Sequence, residues 1–476
     1  MSVWEALVEL DRAQPRLGEQ LTCALREAIV AGRLTPGTRL PSTRDLAADL
    51  GLSRGLVVSA YEQLIAEGRL VGRRGSGTQV APGATASPGD GVVAAAPAPS
   101  VAPLRPGVPD LGMFPRAAWR RSYERALATA HDADLDYGDP TGAPVLRREL
   151  AAYLGRVRAA RLDAAALVVT TGAAQAFTLL AAVLRAAGTG RVAIEDPGPA
   201  AIRDLLTAHG LRPVPVPVDA DGLDVAALPR ARARAVLVTP AHQFPTGVVL
   251  APARRAALVD WARRTGGLIV EDDYDAEFRY DREPVGCLQG LAPDVVALVG
   301  SVSKALAPGM RLGWLAPPAS LWEATAAAKF AADHGGPAVD QLAFAELLAG
   351  GWYDRHLRRA RRVYRQRRDA VVAALRAHLP EARISGVAAG LHLVVELPAG
   401  VDDSALAARA RAAGLGPLAL SAQRQRGGRP GLVLGYAAHS PHELTAAVRL
   451  LGRLLRGDVV RGDTVRGDVH ELAAGG

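Results

Sequence analysis

At 476 residues, with 49% hydrophobic and 22% charged positions, the chain is too long for one ordinary domain and is globular rather than disordered in composition. A formal charge of +8 is compatible with a nucleic-acid partner, although heavy use of Ala, Arg and Gly accounts for part of it. Cys23 and Cys287 are too few and too far apart for a disulfide framework or a clustered zinc site. No run reaches transmembrane length without charge, and the opening MSVWEALVELDRAQPR carries acids and lacks an apolar core of signal length, so a cytoplasmic chain without a membrane partner is expected.

In chain order, LGEQLTCALREAIVA predicts a helix over 17–31 that places Leu17, Leu21, Leu25, Ile29 and Val30 on one face. After the turn GRLTPGTRLPS, Ser42 caps TRDLAADLG, with Asp45 three residues on and Gly51 ending the helix. Ser53 caps a second helix, RGLVVSAYEQLIAEG, two residues later. Two short helices with a glycine-containing turn form a helix-turn-helix. RLVGRRGSGTQVA then reads as two strands around a tip containing Arg73, Arg74, Gly75 and Gly77, completing a winged helix over residues 1–80. Arg44 and Arg54 fall in first helical turns, where guanidinium forks can meet phosphate or base edges. The alternative is a pair of solvated surface charges.

Residues 81–106, rich in Pro, Ala, Gly and Ser and without helical or strand period, read as a flexible linker. Over 107–456, the runs ALVVTTG, RVAIEDPG, AVLVTPA, LIVEDDYD and VVALVGS alternate with helical stretches. Near-continuous apolar strands of this kind predict a mostly parallel sheet covered on both faces, with chemistry at the carboxyl ends of its strands. DRHLRRARRVYRQRRDAVVAALRAHL predicts a long helix, read as a connector with a solvated arginine face or as a second DNA-contact surface. A smaller α+β pattern follows, with strands at LHLVVEL and GLVLGYA. The repeated V-R-G-D units of 457–476 are too short to build a core and read as a disordered tail.

One stretch, GSVSKALAPGMRLGW, contains Lys304, one of only two lysines among 56 Lys and Arg residues. A lysine amine forms a Schiff base with an aldehyde such as pyridoxal phosphate, which guanidinium cannot do. Such a cofactor also needs an anion nest, a carboxylate for its ring nitrogen and a donor near its ring hydroxyl. Gly172, Ala173 and Ala174 open a helix after a strand and offer the nest. Asp272 at a strand end offers the carboxylate, with Tyr274 two residues on. Ser301, Ser303 and Arg311 offer phosphate partners around Lys304. Each reading alone competes with a bland one: a small-residue helix start, a loop acid, a surface lysine. Arg429, before PGLVLGYA, is the candidate for holding an effector carboxylate, beside the plainer reading of a surface arginine.

RLPSTRDLAADLGLSRGLVVSAYEQLIAEGRLVGRRGSGTQV resembles the GntR family of bacterial regulators. YGDPTGAPVLRRELAAYL, EDPGP, TPAHQFPTG, EDDYDAEFRY and SVSKALAPGMRLGW look, in that order, like a fold-type-I aminotransferase. The whole resembles the MocR-like subfamily, in which a winged helix precedes an aminotransferase fold. The resemblance implies an α/β effector domain with a large, mostly parallel sheet and a smaller α+β domain, binding pyridoxal 5'-phosphate through Lys304. It also implies DNA contacts from Arg44, Ser53, Arg54 and the wing around Gly75 and Gly77. It further implies a head-to-tail homodimer in which Tyr137 reaches the partner's phosphate.

Gly55, Leu56 and Val57 lie where many relatives carry polar residues. Pro199 stands where aminotransferases carry a stacking aromatic, and Phe244 where catalytic ones carry an asparagine. The expected function is therefore a regulator of double-stranded DNA that senses an amino compound or the vitamer itself. The alternative is a working aminotransferase with an accessory DNA-binding domain.

Overall fold

The computed structural model describes residues 4, 7–8, 10–73, 77–82, 102–280 and 285–457. The chain divides into two compact units, Met1–Ala98 and Pro99–Gly476. Arg74, Gly75, most of the 81–106 segment and the tail beyond Gly457 lie outside the described residues.

In the smaller unit, α1 (Leu17–Val30) buries Leu21, Leu25 and Ile29, whereas Val30, expected on the same face, is 39% exposed. Its position one residue past Ile29 turns it about 100° around a helix of 3.6 residues per turn. The Ser42 hydroxyl accepts from Asp45 N–H at the start of α2 (Thr43–Leu50), which Gly51 ends at φ 59. Ser53 likewise accepts from Leu56 N–H at the start of α3 (Arg54–Ala66). β1 (Leu70–Arg73) pairs antiparallel with β2 (Gly77–Val80), Leu70 opposite Val80. Leu46, Leu50, Val57, Tyr61 and Leu64 join the core under these elements.

The larger unit runs α4 (Arg116–Thr129), α5 (Pro144–Arg158), β3 (Val168–Thr170), α6 (Ala173–Ala186), β4 (Arg191–Asp196), α7 (Ala200–Ala208), β5 (Arg212–Asp219), β6 (Gly222–Leu223), β7 (Ala235–Val238), α8 (Pro252–Thr265), β8 (Leu268–Asp272), β9 (Val296–Ser301) and β10 (Gly313–Ala316). These strands form one eight-stranded sheet in the order β3-β10-β9-β8-β7-β4-β5-β6. β9, β8, β7, β4 and β5 are parallel, and β10 runs antiparallel between β9 and β3. All five apolar runs read from the sequence are strands here. β5 was not among them because RPVPVPVD places a proline at every second position. In a parallel pair alternate residues face opposite neighbours, so Val214 and Val216 can pair with β4 while the prolines point their missing N–H groups away from it.

The chain continues through α9 (Trp322–Asp333), α10 (Ala338–Ala349) and the 27-residue α11 (Trp352–His378) into β11 (Arg383–Ser385), β12 (His392–Glu396), α12 (Asp403–Ala412), β13 (Leu418–Ala419), β14 (Gly431–Gly435) and α13 (Pro441–Arg456). The four strands form an antiparallel sheet ordered β11-β12-β14-β13. Leu444, Val448 and Leu451 of α13 are buried in a core shared with Leu357, Val371 and Leu375 of α11. Among the described residues no helix is long and apolar enough to cross a membrane.

Candidate functional site

The carboxyl ends of β8 and β9 and the amino ends of α6 and α7 border a cavity of about 410 Å³ in the larger unit. Its lining includes Lys304, Asp272, Tyr274, Ser301, Ser303 and Arg311, together with Ala173 and Ala174. Lys304 lies three residues beyond β9, and its Nζ donates to the Gly107 carbonyl at 2.5 Å. Burial lowers its pKa against the opposing charges of Asp275 and Asp272, which raises the neutral fraction of the amine.

Asp272 closes β8 and is 8% exposed, and among the described residues its Oδ1 has no hydrogen-bond partner. Burial, then the charges of Asp273 and Asp275, push its carboxyl up to about 8, with Lys304 opposing. The folded group thus holds its proton more tightly than an unfolded aspartate, whose pKa is about 4. Its contribution to stability is full below about pH 4 and is lost as pH rises through about 8. In protein free of small ligands, thermal stability is expected to fall across that interval, and to fall less for Asp272→Asn. Equal slopes for the two proteins would contradict this.

A network that sequence reasoning did not assign lies behind Tyr274. The Tyr274 hydroxyl donates to the His242 carbonyl at 3.0 Å and sits 3.1 Å from His242 Nδ1, which bonds to Asp275 Oδ2 at 2.9 Å. Gly390, at φ +71, gives His242 room, since a Cβ there would meet the imidazole at 2.2 Å. His392 also lines the cavity; its Nε2 bonds to the Pro245 carbonyl at 3.2 Å, and burial pushes its pKa well down, so it stays neutral. His242 falls inside TPAHQFPTG and His392 opens an apolar strand. Burial of a histidine beside a carboxylate partner from another segment was the missing signal, and one residue's neighbours in sequence do not reveal it.

At the opposite end Gly172 caps α6 at φ 99, a conformation suited to glycine, and delivers the first amides of that helix to the cavity. The Arg311 guanidinium packs against Gly172, where a Cβ would lie 3.0 Å from Nη2, and donates to the Thr171 carbonyl. The helix N-terminus and this guanidinium make the end electropositive. One wall is α7, with Pro199, Ile202 and Leu205 facing inward. Its start is laced to the loop after β13: Gly198 N–H donates to Gln423 O at 2.9 Å, Ala200 N–H to Gln423 Oε1 at 3.1 Å, and the amides of Gln425 and Arg426 to Asp196 at 2.8 and 3.1 Å.

Phe244 lines the cavity as well, its ring 6.3 Å from that of Tyr274 and 5.1 Å from that of His392. Two expected residues lie elsewhere. Tyr137 is 81% exposed and packs beside His334, outside this cavity. Arg429 is exposed on the loop leading into β14 and does not line the cavity; its carbonyl accepts from Arg424. In the smaller unit Arg44, Ser53 and Arg54 are exposed, and Arg54 Nε lies 3.5 Å from Thr43 Oγ1, so both helix starts share one surface. Arg73 closes β1 and Gly77 opens β2.

Residues 17–80 match the bacterial regulatory proteins of the gntR family, and residues 106–415 match aminotransferase class I and II. The HTH-type pyridoxine biosynthesis transcriptional regulator PdxR of Corynebacterium glutamicum is 36% identical over 89% of this chain and 93% of its own. The probable rhizopine catabolism regulatory protein MocR of Rhizobium meliloti is 33% identical over 94% of this chain and 95% of its own. Among solved structures, the α-aminoadipate aminotransferase LysN of Thermus thermophilus, in complex with N-(5'-phosphopyridoxyl)-L-leucine, superposes with a TM-score of 0.68 at 28% identity, covering 74% of this chain and 92% of its own. An archaeal alanine:glyoxylate aminotransferase gives 0.70 at 26% identity, covering 76% and 92%.

Proposed function

Since the chain belongs to the MocR-type transcriptional regulators, a gntR-family unit followed by an aminotransferase class I and II unit, we propose that its cavity holds pyridoxal 5'-phosphate through Lys304 and that occupancy there sets how the smaller unit grips an operator. The observation that carries this reading is the unpartnered, buried Asp272 Oδ1 in the same cavity as the Lys304 amine. A carboxyl so placed, with its proton held up to about 8, suits a ring nitrogen that shares that proton. Pyridoxal phosphate, when bound, supplies an electrophilic aldehyde carbon and an electron-withdrawing ring.

The chain's own residues divide the remaining work. Lys304, its pKa lowered by burial, presents an amine that loses its proton more readily than an exposed lysine does. Tyr274, steadied by His242 and Asp275, presents its phenol to the cavity. The amides of Ala173 and Ala174, the hydroxyls of Ser301 and Ser303, and Arg311 form the phosphate cradle. Phe244 has no donor to offer, and Pro199 no aromatic face, which favours holding and sensing over rapid turnover. The effector is an amino compound or the vitamer. The protein acts as a homodimer, and the exposure of Tyr137 agrees with a role toward a second copy.

DNA is met by Arg44 and Arg54, exposed in the first turns of α2 and α3. In Arg44→Ala/Arg54→Ala, affinity for a duplex from the protein's own upstream region should drop at least about tenfold, and the salt slope by about two. Pyridoxal phosphate uptake, read by visible absorbance, should not change. A wild-type protein that takes up the cofactor and turns over amino and keto acids rapidly, yet binds that duplex without salt sensitivity, would overturn the regulatory reading.

A further inference from the structure

Helix α11 carries nine arginines against two aspartates, and the structure sorts them by what they hold. Arg355 lies over the Trp352 ring at 3.9 Å and donates to Gly350 O, and Arg367 pairs with Asp110 at 2.8 Å. Arg361 Nε donates to the Glu277 carbonyl at 2.5 Å and Arg365 to the Tyr280 carbonyl, so both strap the segment that follows Asp272 and Tyr274. These guanidinium groups hold neighbouring parts of the chain, Arg355 and Arg365 while remaining exposed. Arg358 and Arg362 differ: both are exposed, and among the described residues neither makes a hydrogen bond or an ion pair. They line a concavity of about 450 Å³ with Arg279, Arg361, Arg365 and Tyr280, and none of these lining residues is a carboxylate.

The spacing 358, 361, 362, 365 sets like charges three and four apart, an arrangement that works against a helix unless something opposes the charge. Arginine forks of this density match phosphate oxygens, which accept two N–H bonds per guanidinium. We infer that this concavity is a second contact for DNA, gripping backbone phosphates through Arg358 and Arg362 on the larger unit, an inference that rests on the DNA-binding reading above. Arg358 and Arg362 stand one turn apart on the exposed side of the helix, which suits an extended run of phosphodiesters better than one compact anion. The contact is sequence-independent, because it reaches phosphate and no base edge.

The test uses the full-length, cofactor-loaded protein and a duplex from its own upstream region, with affinity measured against salt concentration. Arg358→Gln/Arg362→Gln should lower the salt slope by about two and weaken binding roughly tenfold at moderate salt, with cofactor absorbance unchanged and thermal stability equal to or above that of the wild type. The charge-matched Arg409→Gln/Arg411→Gln on α12 should leave the slope alone. An unchanged slope in the first variant, or an equal loss in both, would overturn the inference. So would stabilisation of the wild type but not of the first variant by inorganic pyrophosphate with DNA binding unaffected, which would make the concavity a small-anion site. Wild-type protein that fails to bind the duplex at all would instead sink the DNA-binding reading itself.

Discussion

Lys304→Ala is expected to abolish covalent capture of pyridoxal phosphate. Borohydride treatment of the loaded wild type should add the reduced cofactor to the mass of the chain, and the variant should show none. Retention through gel filtration should drop at least about 100-fold, the loss of a covalent anchor exceeding that of one hydrogen bond. No second lysine can stand in: the remaining one, Lys329, is buried on α9 with its Nζ 2.6 Å from Asp333. Lys304→Arg should fare no better, since a guanidinium does not add to the aldehyde at neutral pH. DNA binding by either variant should persist but no longer respond to the cofactor. A mass shift retained in Lys304→Ala would remove the basis of the sensor reading.

Arg158→Ala should be the most destabilising single change in the larger unit outside its apolar core. Arg158, at the end of α5, is 1% exposed and spans Asp273 with Nε at 2.8 Å and Nη2 at 2.9 Å, while Nη1 reaches the Val285 carbonyl. Around it lie Glu271, which accepts from the amides of Leu288 and Gln289 at 3.0 Å each, and Glu277, which burial and the Asp273 charge push up to about 7. Removing the guanidinium leaves Asp273 buried among these acids, at a cost of about 3–5 kcal/mol. Denaturant unfolding should show that loss, with reduced cofactor uptake, because Asp273 is bonded next to Asp272. Arg158→Met/Asp273→Leu should recover most of the stability, since an apolar pair replaces the ions without an orphaned charge. A loss below about 1 kcal/mol in the single variant would show that water enters the site and screens it.

Whatever rests on short-range signals was legible in the sequence. Ser42, Gly51 and Ser53 cap and terminate helices through bonds to residues three or four positions away, so reading them needs no tertiary knowledge. Runs such as AVLV and LIVED are strands because they are apolar on both faces, as a covered parallel sheet requires. β5 was hidden by prolines that only its place beside β4 makes tolerable, and the short β10 by the loop signals around it. Lys304, Asp272 and Arg311 carried motif context, whereas His242 and His392 acquire meaning only when β12 meets the loop after β7, about 150 residues apart in sequence. Arg429 illustrates the converse: the strand it precedes was read correctly, but the loop between them carries its side chain outward.

The lacing of α7 to the loop after β13 sets how the cavity can respond to what fills it. Pro199 and Ile202, which line the cavity, stand beside a hydrogen-bonded joint to Gln423, Gln425 and Arg426 beyond the small sheet's edge strand. A ligand that pushes on that wall is therefore expected to carry the four-stranded layer with it rather than dent it locally. Releasing the joint would break several hydrogen bonds at about 1 kcal/mol each, so the movement should come as a click between two seatings and not as a graded yield.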